Sequence, residues 1–260
     1  MQAVIIAAGE SSRFWPLNQS HKSQTYLLGK PLIYWTLKGL QENGIQDIVV
    51  VHSKDSSLKE MLEQENDLGI HISYAVQEQP LGTGNALWQA KEFITEPFVV
   101  LWPDKVTVKE LVEKMTEKQK EERLGMVLVG AKTPTPWDYG IFKFEGNVPI
   151  GILEKPEPGK EPSNIKAVGV YLFEPDFFNY YATLPKHHET DLTDVINMYM
   201  KEHRASLVLL EKDIPTLKYP WDLFQLSRIL IDTFLKPSIS ANATIAKNAI
   251  IEGNVWVGEG

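Results

Sequence analysis

The first 120 residues alternate continuous apolar runs with amphipathic stretches, and this alternation limits the possible folds more than any other feature of the sequence. The apolar runs are unbroken, as buried parallel strands are, whereas the stretches between them have the apolar spacing of helices that cover a sheet. The strands are expected at 2–8, 47–51, 71–76 and 97–102, and the helices at 31–44, 56–66, 83–93 and 107–120. Repeated strand–helix–strand units form right-handed crossovers, so we predict an α/β fold with a doubly wound, mostly parallel, Rossmann-like sheet.

The second half of the chain has a different pattern. Longer strand-like runs are joined there by turns that contain Gly and Pro. We expect strands at 125–132, 140–156, 166–175 and 205–211, and helices near 191–202 and 221–235. These strands are predicted to extend the sheet and to cover one side of a pocket.

The composition argues against several classes of protein. With 260 residues, 43% of them apolar, and seven Trp, the chain is suited to one large folded domain with an appendage. No run approaches the roughly 18 apolar residues of a membrane span, so no membrane partner is expected. The lack of Cys suits a cytoplasmic protein, because disulfides are excluded. The net charge of −8 disfavours binding to nucleic acid.

The last residues follow a period of six. Ile239, Ile245, Ile251 and Val257 recur at this interval, with small residues between them, as in a parallel β-helix of hexapeptide repeats. We therefore divide the chain into a domain at 1–236 and the first coil of a left-handed β-helix at 237–260. Because a coil cannot bury its face alone, we expect either a longer natural protein or a partner at this end, such as another copy of the chain.

The loop after the first strand is the first candidate site. Backbone amides at such a turn can form a nest for an anion, and nearby cations can add to it. The candidate residues are Gly9, Ser11, Ser12, Arg13 and Lys22. An ordinary turn with solvated charges fits this short stretch equally well.

The second candidate is the Gly-rich connection at 77–86. Gly82 and Gly84 allow a flat ligand to approach the backbone closely, and Gln77 can read the edge of a base through its amide. The same Gly-Thr-Gly sequence is also a common way to begin a helix.

Three charged residues follow strands in a way that favours ligand binding. Asp104 comes directly after an apolar strand, where open α/β sheets bind ligands and where a carboxylate can hold Mg²⁺ with substrate phosphates. A turn or helix-capping role is the alternative. Glu154 and Lys155 could contact a sugar hydroxyl and a phosphate, or be two surface charges. His187 and His188 lie in a polar stretch and are expected to be solvated.

Taken in order, these groups resemble the sugar-1-phosphate nucleotidylyltransferase family, including glucose-1-phosphate thymidylyltransferases and the uridylyltransferase half of bifunctional N-acetylglucosamine-1-phosphate enzymes. The resemblance covers essentially the whole chain. It rests on "AAGESSR" with Lys22 and "GKPLI", then on "QEQPLGTGNA", "DYGIFKF", "LEKP", "PSNIKAVGVYLF", "ETDLTDVI", "YPWDLFQLSR" and the hexapeptide start.

The resemblance implies transfer of a nucleoside monophosphate from a nucleoside triphosphate, with UTP or dTTP favoured, to a sugar 1-phosphate, with Mg²⁺ as cofactor. It assigns catalysis to Arg13 and Lys22, and Mg²⁺ to Asp104. It assigns nucleotide binding to Ala7, Ala8, Gly9, Glu10, Ser11, Ser12, Gln77, Leu81, Gly82 and Thr83. It assigns the sugar phosphate to Gly140, Glu154, Lys155 and Asn164.

The chain departs from the family pattern at several of these positions. Ser11 stands where the family has a second Gly, and His21 replaces the Pro before the Lys. Pro103 replaces a Gly, and Ala167 replaces an Asn that contacts the sugar in the family. Thr216 stands where the family has an acidic residue that binds a second metal. Asp222 or Asp213 are the candidates to substitute for it. Two other functions therefore stay open: a cytidylyltransferase acting on another phosphorylated alcohol, and a catalytically silent regulatory or assembly relative.

Overall fold

The computed structural model describes residues 1–122, 124–184, 188, 191–253 and 255–259, and His187 lies outside them. The strands are β1 Gln2–Ala7, β2 Tyr26–Leu27, β3 Lys30–Pro31, β4 Asp47–Ser53, β5 His71–Gln77, β6 Phe98–Leu101, β7 Met126–Lys132, β8 Gly140–Glu145, β9 Val148–Glu154, β10 Ile165–Phe173, β11 Ala205–Leu210, β12 Ser238–Ile239 and β13 Trp256–Val257. The helices are α1 Leu32–Gln41, α2 Leu58–Glu65, α3 Thr83–Trp88, α4 Val108–Glu122, α5 Asp191–Glu202 and α6 Asp222–Phe234.

The main sheet has the predicted parallel core. Its strand order is β11-β7-β10-β6-β1-β4-β5, and β1 pairs in parallel with both β4 and β6. β4 with β5 and β11 with β7 are parallel as well. The prediction of a mostly parallel α/β sheet is therefore confirmed.

One strand runs against the others in the middle of this sheet. β10 lies between β6 and β7 and is antiparallel to both. β8 pairs with β10 and, in a hairpin, with β9, so the second half of the chain extends the sheet as expected. Its strands bring residues of the second half next to the loop that follows β6.

Apolar side chains cover both faces of the sheet, as a doubly wound fold requires. One buried cluster joins the sheet to α1, α2 and α4, and a second joins its other face to α3 and α5. A third cluster packs α6 and Phe14 against α1. Phe14 is fully buried, which fixes the end of the loop that follows β1.

The helix predicted at 83–93 is shorter in the structure. α3 ends at Trp88, and a separate 3-10 turn spans Lys91–Phe93. The backbone explains the break, since the amides of Gln89 and Ala90 bond to carbonyls three residues earlier rather than four.

The C-terminal residues form a separate two-stranded parallel pair. Ser238 pairs with Trp256 and Ile239 with Val257, so each residue meets the one 18 positions later. Most side chains between these strands are exposed. Within the described part of the chain, we find no helix with the length and apolar character needed to cross a bilayer.

Candidate active site

The carboxyl ends of β1, β5 and β6 meet at one edge of the sheet, and the loops that follow them surround two adjoining cavities. The smaller cavity has a volume of about 280 Å³, and the larger one about 940 Å³. Four residues line both: Lys22, Thr83, Trp102 and Asp104. The two cavities are therefore two compartments of one site that meet at these residues.

The loop after β1 forms one wall of the smaller cavity. Ala8, Gly9 and Glu10 line it, and Ala7 is buried within β1. Arg13 is exposed and lines the larger cavity instead.

Ser11 stands where the family has its second glycine, and its side chain stabilises the loop after β1. Its φ of −93° is a conformation open to any residue, so no glycine is required there. Its Oγ accepts a hydrogen bond of 2.9 Å from the Lys22 amide. Ser11 and Ser12 do not line either cavity, and Ser12 begins a 3-10 turn, Ser12–Phe14.

Lys22 lines both cavities, and its Nζ donates a hydrogen bond to the Leu217 carbonyl. The preceding His21 also lines the smaller cavity. Burial lowers the pKa of His21 to about 4, and the Lys22 charge adds to this effect, while Asp104 opposes it. His21 is therefore neutral at pH 7 and accepts from the Ser23 amide through Nδ1.

The loop after β5 is held by side chains. Gln77 donates through Nε2 to the Gly82 carbonyl at 3.0 Å and to Asn85 Oδ1 at 2.9 Å. The Gly84 amide donates to Asp191 Oδ1 at 2.9 Å, and a Cβ at Gly84 would lie 2.1 Å from that oxygen. Only glycine fits there, because the backbone lies directly against α5.

Gln77 and Gly82, the residues predicted to bind the base, line the smaller cavity, and so does Thr83. Leu81 does not; it is 45% exposed, and its amide bonds to the Gln79 carbonyl.

Asp104 is the buried carboxylate at the centre of the site, with 2% exposure. Its Oδ2 accepts a hydrogen bond of 2.7 Å from the Leu217 amide. Its Oδ1 is buried and has no hydrogen-bond partner among the described residues. A buried carboxylate oxygen without a donor is suited to a cation, so the residues here fit a divalent metal.

The residue after it, Lys105, was not among the predicted site residues. It is 3% exposed and its Nζ donates to Thr216 Oγ1 at 3.2 Å. Burial lowers the pKa of Lys105, while the Asp104 charge raises it. Its place directly after Asp104 was the available sequence signal.

The sugar-phosphate residues predicted from β8 and β9 line the larger cavity: Gly140, Glu154 and Lys155. Gly140 pairs with Glu154 across the hairpin, and a Cβ at Gly140 would lie 2.8 Å from Glu154 Oε2. Thr193 of α5 donates to the same oxygen at 3.4 Å. Asn164 is exposed and lines neither cavity; its carbonyl accepts from the Thr133 amide.

Two further lysines line the larger cavity beside Tyr139. Lys166 is buried and lies 2.5 Å from Asp213 Oδ2. The Nζ atoms of Lys166 and Lys218 lie 4.1 and 4.3 Å from the centre of the Tyr139 ring. Lys166 is the one charged residue of an otherwise apolar strand, which is the signal that could have revealed it.

The candidates for a second metal carboxylate are engaged elsewhere. Asp222 Oδ2 accepts from the amides of Lys218 and Tyr219 at 2.8 and 2.7 Å, and Asp213 pairs with Lys166. Within the described ranges, no group of three or more His, Cys, Asp or Glu side chains is arranged to hold a metal ion. A metal at this site would have Asp104 as its protein carboxylate, with phosphates and waters as further ligands.

The chain is similar to known proteins over most of its length. Residues 2–226 match the family model described as nucleotidyl transferase. A bifunctional sugar-1-phosphate nucleotidylyltransferase/acetyltransferase of Sulfurisphaera tokodaii is 29% identical over 266 residues, which is 100% of this chain and 62% of that protein. The chain thus spans less than two thirds of this relative.

Two other likenesses cover more than four fifths of both proteins. A UTP–glucose-1-phosphate uridylyltransferase of Bacillus subtilis is 29% identical over 246 residues, 81% of this chain and 82% of that protein. A UDP-glucose pyrophosphorylase structure from Acinetobacter baumanii, 21% identical, aligns with a TM-score of 0.75 over 90% of this chain and 94% of that one. This likeness agrees with the fold, and the family match over residues 2–226 leads to the conclusion that the chain belongs to the nucleotidyl transferase family.

Proposed function

We propose that the chain transfers a nucleoside monophosphate from a nucleoside triphosphate to a sugar 1-phosphate, forming a nucleotide sugar and pyrophosphate. One observation carries the proposal: the two compartments meet at Lys22 and Asp104. Two substrates bound side by side would join there. The names of the relatives support a sugar 1-phosphate as the acceptor, and Gln77 in the smaller compartment supports UTP or dTTP as the donor.

The reaction is an in-line displacement at the α-phosphorus. An oxygen of the sugar phosphate forms the new bond, the bond from the α-phosphorus to the bridging oxygen breaks, and pyrophosphate leaves with that electron pair. No side chain has to exchange a proton with the attacking oxygen, because the sugar phosphate is already ionised. The protein therefore contributes mainly orientation and neutralisation of charge.

Arg13 and Lys22 would neutralise the triphosphate and the leaving pyrophosphate. Gly82 and Gln77 would hold the base, and Glu154 and Lys155 the sugar and its phosphate. Asp104 would hold Mg²⁺, which supplies positive charge to the phosphates when bound; its buried, unpartnered Oδ1 fits that role.

A pyrophosphate-release assay tests this function. Purified protein is incubated with Mg²⁺ and a panel of four nucleoside triphosphates against several sugar 1-phosphates, including glucose 1-phosphate. We expect turnover with UTP or dTTP, and about a hundredfold loss of turnover in Asp104→Asn, which keeps an acceptor for the Leu217 amide. Turnover with CTP and another phosphorylated alcohol would identify a cytidylyltransferase. Silence across the panel, with nucleotide binding that ignores Mg²⁺, would identify a non-catalytic relative.

We also propose that residues 237–260 begin a left-handed β-helix, as a unit apart from residues 1–236. The parallel pairing of β12 with β13 supports this, since 18 residues equal three hexapeptides. Association of copies through this segment follows as a proposal and is testable by the oligomeric state in solution with and without residues 237–260. The expected cytoplasmic location stays a prediction.

A further inference from the structure

Lys105 is a buried lysine on the wall of the larger cavity, and its Nζ contacts a neutral hydroxyl. It is 3% exposed, and it donates a hydrogen bond of 3.2 Å to Thr216 Oγ1. Among the described residues, no carboxylate oxygen lies within the 4.0 Å of its Nζ that defines an ion pair. An ammonium group can donate three hydrogen bonds, so Thr216 uses one of them.

Two other lysines of the larger cavity, Lys166 and Lys22, provide a comparison with Lys105. Lys166 is about as buried, but Asp213 Oδ2 lies 2.5 Å from its Nζ. Lys22 donates to the Leu217 carbonyl. Lys22 therefore also has a neutral partner, but it is only half-buried, so Lys105 is the more deeply buried of the two lysines that are held by neutral groups. The charges that act on Lys105 are those of Lys22 and Lys166 and those of Asp104 and Asp213.

A buried ammonium group that is held by one neutral hydrogen bond is destabilising, so an anionic ligand that pairs with Lys105 would stabilise it. The ligand must be an anion, and it must reach the larger cavity, because Lys105 lines that cavity and not the smaller one. This part of the cavity wall is connected to Lys155, one of the residues proposed to bind the sugar phosphate. The Nζ of Lys166 packs on the Tyr139 ring, and the Tyr139 carbonyl accepts a hydrogen bond of 3.0 Å from the Lys155 amide.

We propose that Lys105, held in place by Thr216, binds the phosphate of the sugar 1-phosphate and fixes it for attack on the α-phosphorus. This inference rests on the proposed function and deepens it. Lys105 is then a substrate-binding residue, and Thr216 is a positioning residue that acts through it. The phosphate of the sugar 1-phosphate then gives Lys105 a negatively charged partner, as Asp213 does for Lys166.

The test compares four variants. Lys105→Met keeps the length of the side chain and removes the charge, whereas Thr216→Val removes the hydroxyl and Thr216→Ser keeps it. Lys212→Met is the matched control. Lys212 is an exposed lysine in the segment between β11 and α6, which also contains Thr216, and it lines neither cavity. Steady-state kinetics with UTP, glucose 1-phosphate and Mg²⁺ give kcat and both KM values. If the assay panel selects another sugar, its 1-phosphate is the probe.

A binding measurement accompanies the kinetics. Glucose 1-phosphate is titrated calorimetrically in EDTA with a non-hydrolysable UTP analogue present, so that neither turnover nor metal contributes. For Lys105→Met we expect kcat/KM for the sugar phosphate to fall about 30-fold and its Kd to rise at least about tenfold, with the KM for UTP within about threefold. Its Tm should equal or exceed that of the wild type. Thr216→Val should lose about fivefold and Thr216→Ser should regain most of this.

Each outcome decides the point. Lys105→Met kinetics within threefold of a working wild type overturn this inference and leave the proposed function intact. A Tm lowered by more than about 5 °C, with both KM values raised together, makes Lys105 a structural residue and also overturns it. A wild type that neither turns over nor binds any sugar 1-phosphate overturns the proposed function itself, and this inference with it.

Discussion

The loop after β5 and the loop after β1 face the same cavity, but they are supported very differently. In the first, Gln77 bonds to Gly82 and Asn85, and Gly84 lies against Asp191. In the second, no atom outside the adjoining residues lies within 4 Å of the Cβ position of Gly9. The loop after β5 is therefore preformed, whereas the loop after β1 is open around Gly9 and is fixed only farther along, at Ser11 and Phe14.

This difference matches the two kinds of recognition that we propose. A base is a flat, neutral group, and a rigid loop discriminates between bases because a wrong one leaves buried polar groups unpaired. A triphosphate is a strong anion, and amides and cations on an exposed loop can gather around it without a preformed shape. Four substitutions test this contrast.

The largest effect is expected from Gly84→Ala. A Cβ there would lie 2.8 Å from the Leu192 amide nitrogen and would displace Asp191, so we expect a loss of about 3 kcal/mol in the free energy of unfolding. Gly9→Ala is the matched control in the loop after β1 and should change the free energy of unfolding by less than about 0.5 kcal/mol. Urea unfolding measures both. Equal losses in the two variants would contradict the contrast.

Arg13→Gln should leave stability unchanged but lower turnover about a hundredfold, since it removes one charge from the phosphate site without breaking a packed contact. Thermal unfolding and pyrophosphate release measure the two effects. The control is Arg228→Gln, an exposed arginine on α6, for which neither effect is expected. A stability loss in Arg13→Gln would mean that the open loop depends on Arg13 for its structure.

Gln77→Leu should raise the KM for the nucleoside triphosphate about tenfold and cost about 1 to 2 kcal/mol of stability, because Gly82 and Asn85 each lose a hydrogen-bond donor. Gln79→Leu is the control, since Gln79 is exposed in the same loop. If Gln79→Leu raised the KM as much, the base would not be recognised by the buried amide.

The last prediction concerns His21 and appears only when the pH is lowered. Its folded-state pKa of about 4 lies below the ordinary value of 6.5, so the unfolded chain binds a proton that the folded protein excludes. The stability should therefore fall as the pH falls from about 6.5 to 4. His21→Asn, which keeps an acceptor for the Ser23 amide, should flatten this slope in urea unfolding at several pH values. Parallel curves for the two proteins would refute the prediction.

The parallel core of the fold could be predicted because its signal is local. β1, β4 and β6 each contain a short run of buried apolar residues, and burial on both faces requires that pattern. β5 was expected to be a buried strand as well, but it lies at the edge of the sheet, and most of its residues are half-buried or exposed. The antiparallel insertion of β10 between β6 and β7 was not predicted. A strand's apolar pattern is the same in either direction, so its neighbours depend on where the chain returns to the sheet.

The same limit applies to the site. Asp104 and Gln77 were found because each comes at or just beyond the end of an apolar strand, at the ligand-binding edge. The hydrogen bond from Lys105 to Thr216 joins residues 111 positions apart, and no spacing rule reveals it. Asn164 and Leu81 were assigned by resemblance, and in the structure they lie outside both cavities.

Lys155 has a consequence for engineering this protein. Its φ of +41° is a left-handed conformation that costs a non-glycine residue about 1 kcal/mol, and its amide is held there by the Tyr139 carbonyl. Glycine would relieve that strain but would remove the ammonium group from the cavity. A mutant library selected for heat resistance alone should therefore accumulate glycine at position 155 and lose activity, whereas selection on both properties should retain lysine.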